Sequence, residues 1–176
     1  MLSAAHELSD GTSVRLRLTR PSDAGRVREF LQTLSEPSTQ RRFLTAIGDV
    51  PDSIVRHFTF YEPSERLMLA AAAFHDGTEA LVGLADLAML ETGVAEIALV
   101  VRDDHQRKGV GTLLSEAVAS MAQGRGASHL KATMAADNKG MLRLMERLGH
   151  TVVTHEGETA IAYTRLEEPR RVPSAA

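Results

Sequence analysis

The sequence predicts a single α/β (α+β) domain with a mixed, mostly antiparallel sheet of six to seven strands flanked by helices. Three observations carry this. Short alternating or apolar runs are bounded by Gly, Pro, Asp and Ser, as strands are. Segments with apolar residues at helical spacing separate them, giving the order strand, helices, three strands, helix, strand, helix, two strands. The chain has 176 residues, which suits one domain with a sizeable core.

Val14 to Leu18 (VRLRL) alternates apolar and polar residues and reads as a half-buried first strand. Pro21-Ser22-Asp23 is a helix-start signal, and Val27, Phe30, Leu31 and Leu34 then recur at helical spacing. A second helix is expected at about Thr39 to Ala46, after Ser35-Glu36-Pro37-Ser38, and a third near Asp52 to Tyr61. Leu67 to Phe74 (LMLAAAAF) reads as a strand by its turn-rich borders, although its alanines also suit a helix. His75-Asp76-Gly77-Thr78 suits a tight hairpin turn into a strand at Ala80 to Leu90. Glu91-Thr92-Gly93 turns into Val94 to Val101, along which Ile97, Leu99 and Val101 share one face and Glu96, Ala98 and Val100 the other.

Thr112 to Gln123 forms an amphipathic helix ended by Gly124-Arg125-Gly126, and His129 to Ala135 is the next strand. Asn138 to Leu148 is a second amphipathic helix, closed by Gly149, with Met141, Leu142, Met145 and Leu148 inward. Thr151 to His155 and Glu158 to Leu166 make a last hairpin around Gly157. The domain is expected over residues 10–167, with a disordered polar, Pro-containing tail at residues 168–176.

Composition excludes several classes. There is no Cys, so a disulfide framework, thiolate metal sites and a Cys nucleophile are ruled out. The histidines show no ligand-like pairing, and no metal is expected. The net charge of −3 argues against a general nucleic-acid binder. No apolar run reaches the ~18 residues of a membrane span, and the first residues lack the features of a signal peptide. A cytoplasmic location without nucleic-acid or membrane partners is expected. Oligomeric state stays open, a homodimer included.

The informative stretch is Glu96 to Gly111, EIALVVRDDHQRKGVG. A strand, a Gly-containing loop and a helix N-terminus together make an anion site, because first-turn amides lack intrahelical partners and the dipole favours negative charge. Gly109 and Gly111 allow close approach of a diphosphate, and Arg107 and Lys108 bring positive charge. A Walker loop is excluded because no Lys-Ser or Lys-Thr follows Gly111, and a dinucleotide fingerprint because position 114 is Leu114. What remains, Gln106-x-x-Gly109-x-Gly111 after a strand with an acidic residue and before Asn138, resembles the pyrophosphate-binding motif of the GNAT superfamily of acyl-CoA-dependent N-acyltransferases.

That resemblance implies acetyl-CoA as co-substrate, lying where the fourth and fifth strands splay apart. It implies that Gln106, Arg107, Lys108, Gly109, Val110, Gly111 and Thr112 hold the pyrophosphate, that backbone groups of Leu99, Val100 and Val101 pair with the pantetheine arm, and that Asn138 contacts that arm. The Val101 amide becomes a candidate oxyanion donor. Glu96 becomes the candidate general base, since the histone-acetylating branch has a base glutamate in a string resembling Ala95-Glu96-Ile97. The ribosomal-protein branch places its glutamate five positions before the Asn, which here is Thr133. Two bland alternatives stand beside these roles: Glu96 as a strand residue in a salt bridge, and Asn138 as a helix N-cap. Many members carry a Tyr acid seven residues after the Asn; this sequence has Met145, whose spacing suits core. Asp103 and Asp104 would repel an anion and are expected to point away from the loop.

Leu34-Ser35 with the later Arg42-Phe43 resembles a stretch in GNAT domains of bacterial protein-lysine acetyltransferases, as do Val82-Gly83-Leu84-Ala85 and Asn138 with Met141-Leu142. The resemblance implies an amine acceptor, a protein lysine among the candidates, with the first helices walling the acceptor groove. The alternatives are a small-molecule amine acetyltransferase and a non-catalytic CoA-binding sensor module.

Overall fold

A computed structural model describes residues 4–45, 48–75, 78–91 and 93–167. The elements follow as β1 (Ala5–Glu7), β2 (Ser13–Leu18), α1 (Ala24–Gln32), α2 (Glu36–Phe43), α3 (Asp52–Thr59), β3 (Arg66–His75), β4 (Thr78–Glu91), β5 (Val94–Val101), α4 (Val110–Gly124), β6 (His129–Ala135), α5 (Lys139–Leu148), β7 (Gly149–Glu156) and β8 (Thr159–Leu166). They form one open eight-stranded sheet in the order β1-β2-β3-β4-β5-β6-β8-β7. Every neighbouring pair is antiparallel except β5 with β6. The predicted class holds, with one strand more than expected because the short β1 pairs with the start of β2.

Helices cover both faces of the central strands. On one face Val27, Phe30 and Leu31 of α1 and Phe58 of α3 pack against Met68, Ala70, Ala72, Leu84 and Val100. On the other, Leu114 and Val118 of α4 and Met145 of α5 pack against Leu69, Ala71, Leu87, Ile97 and Leu130. Double coverage explains the uninterrupted apolar run of β3, which one-sided burial would have made alternate. The β5 face assignment also holds: Ile97, Leu99 and Val101 join the α4 side, and Val100 the α1 side.

α2 begins at Glu36, three residues before its expected start. Pro37 lies in its first turn, where a missing N–H costs nothing, and the Ser35 hydroxyl caps it by accepting from the Ser38 amide. α2 ends at Phe43, where Leu44 turns to φ 58, short of its expected end at Ala46. Ala46 itself, the Asp76-Gly77 turn, Thr92 and the tail at 168–176 lie outside the described residues. No helix among the described residues is long and apolar enough to cross a membrane.

Two features open the sheet at one place. β5 and β6 pair only through Val94–His129, Ala95–Leu130 and Glu96–Lys131. Beyond Glu96 the strands part, while β5 runs on to Val101 and β6 to Ala135. At Gly83 on β4, a Cβ would stand 2.8 Å from Leu114 Cδ1 and 3.1 Å from Val110 Cγ1. The missing side chain therefore lets the first turns of α4 lie directly on the sheet beside the gap.

Candidate active site

The loop after β5 joins a strand to an uncapped helix start, the arrangement of elements the sequence predicts. Gly109 adopts φ +106 and is the N-cap of α4, with no side chain capping the helix. The left-handed backbone there suits glycine. The Leu113 amide reaches the Gly109 carbonyl at 2.9 Å, so the amides of Val110, Gly111 and Thr112 are the first-turn donors without intrahelical partners. A Cβ on Gly111 would stand 3.3 Å from Leu144 Cδ1, tying this turn to α5. Arg107 is exposed, with φ 61. These features fit a diphosphate cradle. Lys108 is less free than expected. Its ammonium lies 2.8 Å from Asp10, and its carbonyl accepts from the Ser9 amide. That pairing holds the Asp10 carboxyl well below its usual range, the Lys108 hydrogen bond being the main cause.

Gln106 does not face the cradle with its side chain. Its amide nitrogen donates to the Val101 carbonyl and the Ser38 hydroxyl, each at 3.1 Å. Beside it, Asp103 accepts from the Ser35 amide at 2.9 Å and from the Ser35 and Ser38 hydroxyls at 2.8 and 2.7 Å. Partial burial pushes the Asp103 carboxyl upward, but those hydrogen bonds outweigh it and keep it below the usual range. Asp104 is held at about 2, chiefly by Arg102. Both aspartates are thus turned to protein partners, as expected. His105 is tucked against Asp104 at 2.7 Å, with its side chain only 12% exposed.

The register fixes which backbone groups face the gap. The Arg102 amide donates to the Val82 carbonyl at 2.9 Å. Antiparallel alternation then turns the N–H and C=O of Glu96, Ala98 and Val100 toward β4, and those of Ile97, Leu99 and Val101 toward the open edge. Of the three residues predicted to pair with a pantetheine arm, Leu99 and Val101 have this orientation and Val100 does not.

Glu96 stands where the strands separate. Its Oε1 accepts from the Thr133 hydroxyl at 3.1 Å and pairs with Lys131 at 3.4 Å. Its side chain is 35% exposed and lines a cleft of about 290 Å³ together with Arg42, Phe43, Arg66, Asp86 and Thr133. A second cavity, of about 350 Å³, lies among α1, α2 and α3 and shares only Phe43 with this cleft. Asn138 caps α5, its Oδ1 accepting from the Met141 amide at 3.0 Å. Its side-chain nitrogen donates to no other described residue. Met145 is fully buried in the core, as its spacing implied.

The arrangement joins an uncapped helix start, an open strand edge and a carboxylate at one end of a cleft. The profile of the acetyltransferase (GNAT) family matches residues 29–150. The chain belongs to this family. An acetyltransferase of Pseudomonas aeruginosa, PA5475, is 27% identical over 143 residues, covering 81% of this chain and 77% of that protein. The acetyltransferase Pat of Mycolicibacterium smegmatis is 31% identical over 98 residues, 52% of this chain but only 29% of that longer protein. The crystal structure of the GNAT domain of S. lividans PAT superposes with a TM-score of 0.81 at 25% identity, covering 93% of this chain and 96% of that domain.

Sequence reasoning missed the cleft's charged wall in this GNAT domain. Asp86 was the available signal, an acid within the otherwise apolar run LVGLADLAML. Its partners His57, Arg42 and Arg66 come from α3, α2 and β3, too scattered to show a spacing. Among the described residues no cluster of three or more His, Asp or Glu is arranged to hold a metal ion.

Proposed function

We propose that the chain is an acetyl-CoA-dependent N-acetyltransferase that acetylates a primary amine, a protein lysine being the leading acceptor class, by direct attack in a ternary complex. The observation that carries this reading is the position of Glu96, a carboxylate in the cleft wall at the residue where β5 and β6 part. An amine must lose a proton to become a nucleophile, and a carboxylate within reach, directly or through one water, accepts it. Lys131 and Thr133 orient that carboxylate from β6. The salt-bridge reading of Glu96 is therefore compatible with the catalytic one.

The acyl donor supplies an activated thioester carbonyl. The amides of Val110, Gly111 and Thr112 would hold its diphosphate, the backbone of Leu99 and Val101 its extended arm, and the Asn138 side-chain nitrogen the same arm. Oxyanion stabilisation needs a backbone N–H aimed at the developing charge. Val101 and Leu99 both present one at the open edge. Strand rise places Val101 about 17 Å from Glu96 along β5 and Leu99 about 10 Å. Leu99 is thus the better placed to share a reacting centre with Glu96, leaving Val101 to the arm. A cytoplasmic setting is compatible with a chain that has no Cys.

Replacing Glu96 by Gln is expected to lower turnover by about 10²–10⁴ at neutral pH, with acetyl-CoA binding retained in a thermal-shift assay. Unchanged turnover would remove Glu96 from the mechanism. A buried Met145 where the GNAT resemblance implies a Tyr acid motivates a second reading, a CoA-binding module without catalysis. Binding of acetyl-CoA with no thiol release on any lysine peptide or small amine would favour it.

A further inference from the structure

The Glu96 cleft contains two guanidinium groups that share one carboxylate oxygen. Arg42 and Arg66 each lie 3.6 Å from Asp86 Oδ2, beyond hydrogen-bond distance. That oxygen is already engaged by His57 Nε2 at 2.9 Å. Arg66 also reaches the His57 ring, at 3.0 Å. Arg42 makes no hydrogen bond to any described residue. Its side chain is only 12% exposed, its guanidinium lies over the rings of Phe43 and Phe58 at 5.0 and 5.5 Å, and its Nε is buried without a partner. Asp86 Oδ1 is buried and unpartnered too. A guanidinium has five donors in a fixed fork that matches a carboxylate. A buried donor left unmade is costly, whereas donors that line a cleft are open to a ligand or to water.

The charges do not balance within the cleft wall. Lys131 already offsets Glu96. That leaves two guanidiniums against the single Asp86, with His57 beside them. The sheet register places this wall relative to the base. Asp86 pairs with Ala98, and Glu96 with Ala88. The two acids are therefore diagonal neighbours on one face, about 7 Å apart at Cβ.

We propose that Arg42 and Arg66 form a carboxylate-binding subsite, so that the reacting pair at Glu96 carries a carboxylate a short chain away from the bond being made. This rests on the acyltransferase reading of the cleft and narrows its partners: a protein lysine with an acetyl donor brings no carboxylate to the reacting pair, so either the acceptor amine bears its own carboxylate or the donor carries a dicarboxylic acyl group. The carboxylate has two sources, the acceptor amine's own skeleton or the far end of a dicarboxylic acyl group. No bond forms at the subsite; it selects and orients.

The test compares 6-aminohexanoate with hexylamine as acceptors, and succinyl-CoA with acetyl-CoA as donors, in wild type, Arg42→Met and Arg66→Met. A charge-assisted pair should give the carboxylate-bearing partner an advantage of about tenfold or more in kcat/KM. The advantage should fall to about one in the variants. Preference for 6-aminohexanoate assigns the carboxylate to the acceptor, and preference for succinyl-CoA assigns it to the donor. Arg66 is more exposed than Arg42, so Arg66→Met keeps the test alive if Arg42→Met does not fold. Equal rates for all partners would overturn the subsite and leave a closed Arg42–Asp86 pair as the explanation. So would a preference that survives in Arg66→Met and a folded Arg42→Met. Should no amine turn over, that counts against the acyltransferase reading alone, and the subsite is read by binding. Adipate should raise the Tm of wild type and not of Arg66→Met, and no Tm rise in wild type would overturn it.

Discussion

At Gly83 a side chain would meet Leu114 and Val110 of α4 at 2.8 and 3.1 Å. Its Cβ would press on the Leu114 and Val110 side chains of the turn proposed to cradle the diphosphate. Gly83→Ala is expected to cost about 1–3 kcal/mol from overpacking, a Tm drop of roughly 3–10 °C at this size, with a raised KM for acetyl-CoA. Gly25→Ala on α1 is the control: nothing lies within 4 Å of its Cβ, so stability should hold or rise by up to about 1 kcal/mol. Thermal melts and donor KM values check both, and a Gly83→Ala chain that behaves like Gly25→Ala would show that α4 has room to move. Residues of this kind were legible only by identity. The sequence showed a strand around Gly83, but not that its bare face meets a helix opening 27 residues later. Glu96, Gly109, Gly111 and Asn138 were legible because the features that distinguish them are local: a strand acid, a loop and a cap. The cluster of Arg42 with Asp86 was not: Asp86 showed only as an acid in an apolar run, and its partners come from three other elements.

Among the elements, α2 starts three residues before the start the sequence predicts, because a helix tolerates Pro in its first turn, where Pro37 sits. The correct start puts Ser35 and Ser38 against Asp103, so the cap of α2 is also a clamp on the loop between β5 and α4. Gln106 closes the clamp by bonding Ser38 and Val101. Asp103→Ala should therefore loosen both α2 and the loop. Solvent exposure of Asp103 limits the loss to about 1 kcal/mol at pH 7, measurable by denaturant melts. The sign with pH follows from its lowered pKa. A carboxyl with a depressed folded pKa adds stability above its unfolded pKa, about 3.9, and loses it as pH falls through the folded value. The gap between wild type and Asp103→Ala should be full above about pH 5 and narrow below about pH 4. A gap that stays constant to pH 3 would mean that the carboxylate charge is not what holds the clamp.

Across the whole molecule the sheet is two antiparallel blocks, β1 to β5 and β6-β8-β7, joined by a parallel seam of three residue pairs. The blocks are also joined by the bonds of Glu96 to Lys131 and Thr133, by the Arg41–Asp137 pair, and by α4 and α5, which touch at Gly111 and Leu144 and through the exposed Glu116–Arg147 pair at 3.9 Å. The order of elements along the chain was legible because each element's periodicity is local. The splay of β5 from β6 was implied only by the GNAT resemblance, and its start at Glu96 was not legible, since it depends on where two strands 35 residues apart diverge. A donor lying between the strands would contact the first block through Leu99, Val101 and the cradle, and the second through Asn138. It should bind the blocks together. CoA at a hundred times its Kd should stabilise the fold by about 2.7 kcal/mol, a Tm rise of roughly 5–10 °C. Hydrogen exchange should slow at the Leu99 and Val101 amides and at the start of α5 as well as at the cradle. Adenosine 3′,5′-bisphosphate, which lacks the pantetheine arm, should protect the cradle alone and raise Tm less. If both ligands gave the same protection pattern, the arm would not lie between the blocks, and the open edge of β5 would need another purpose.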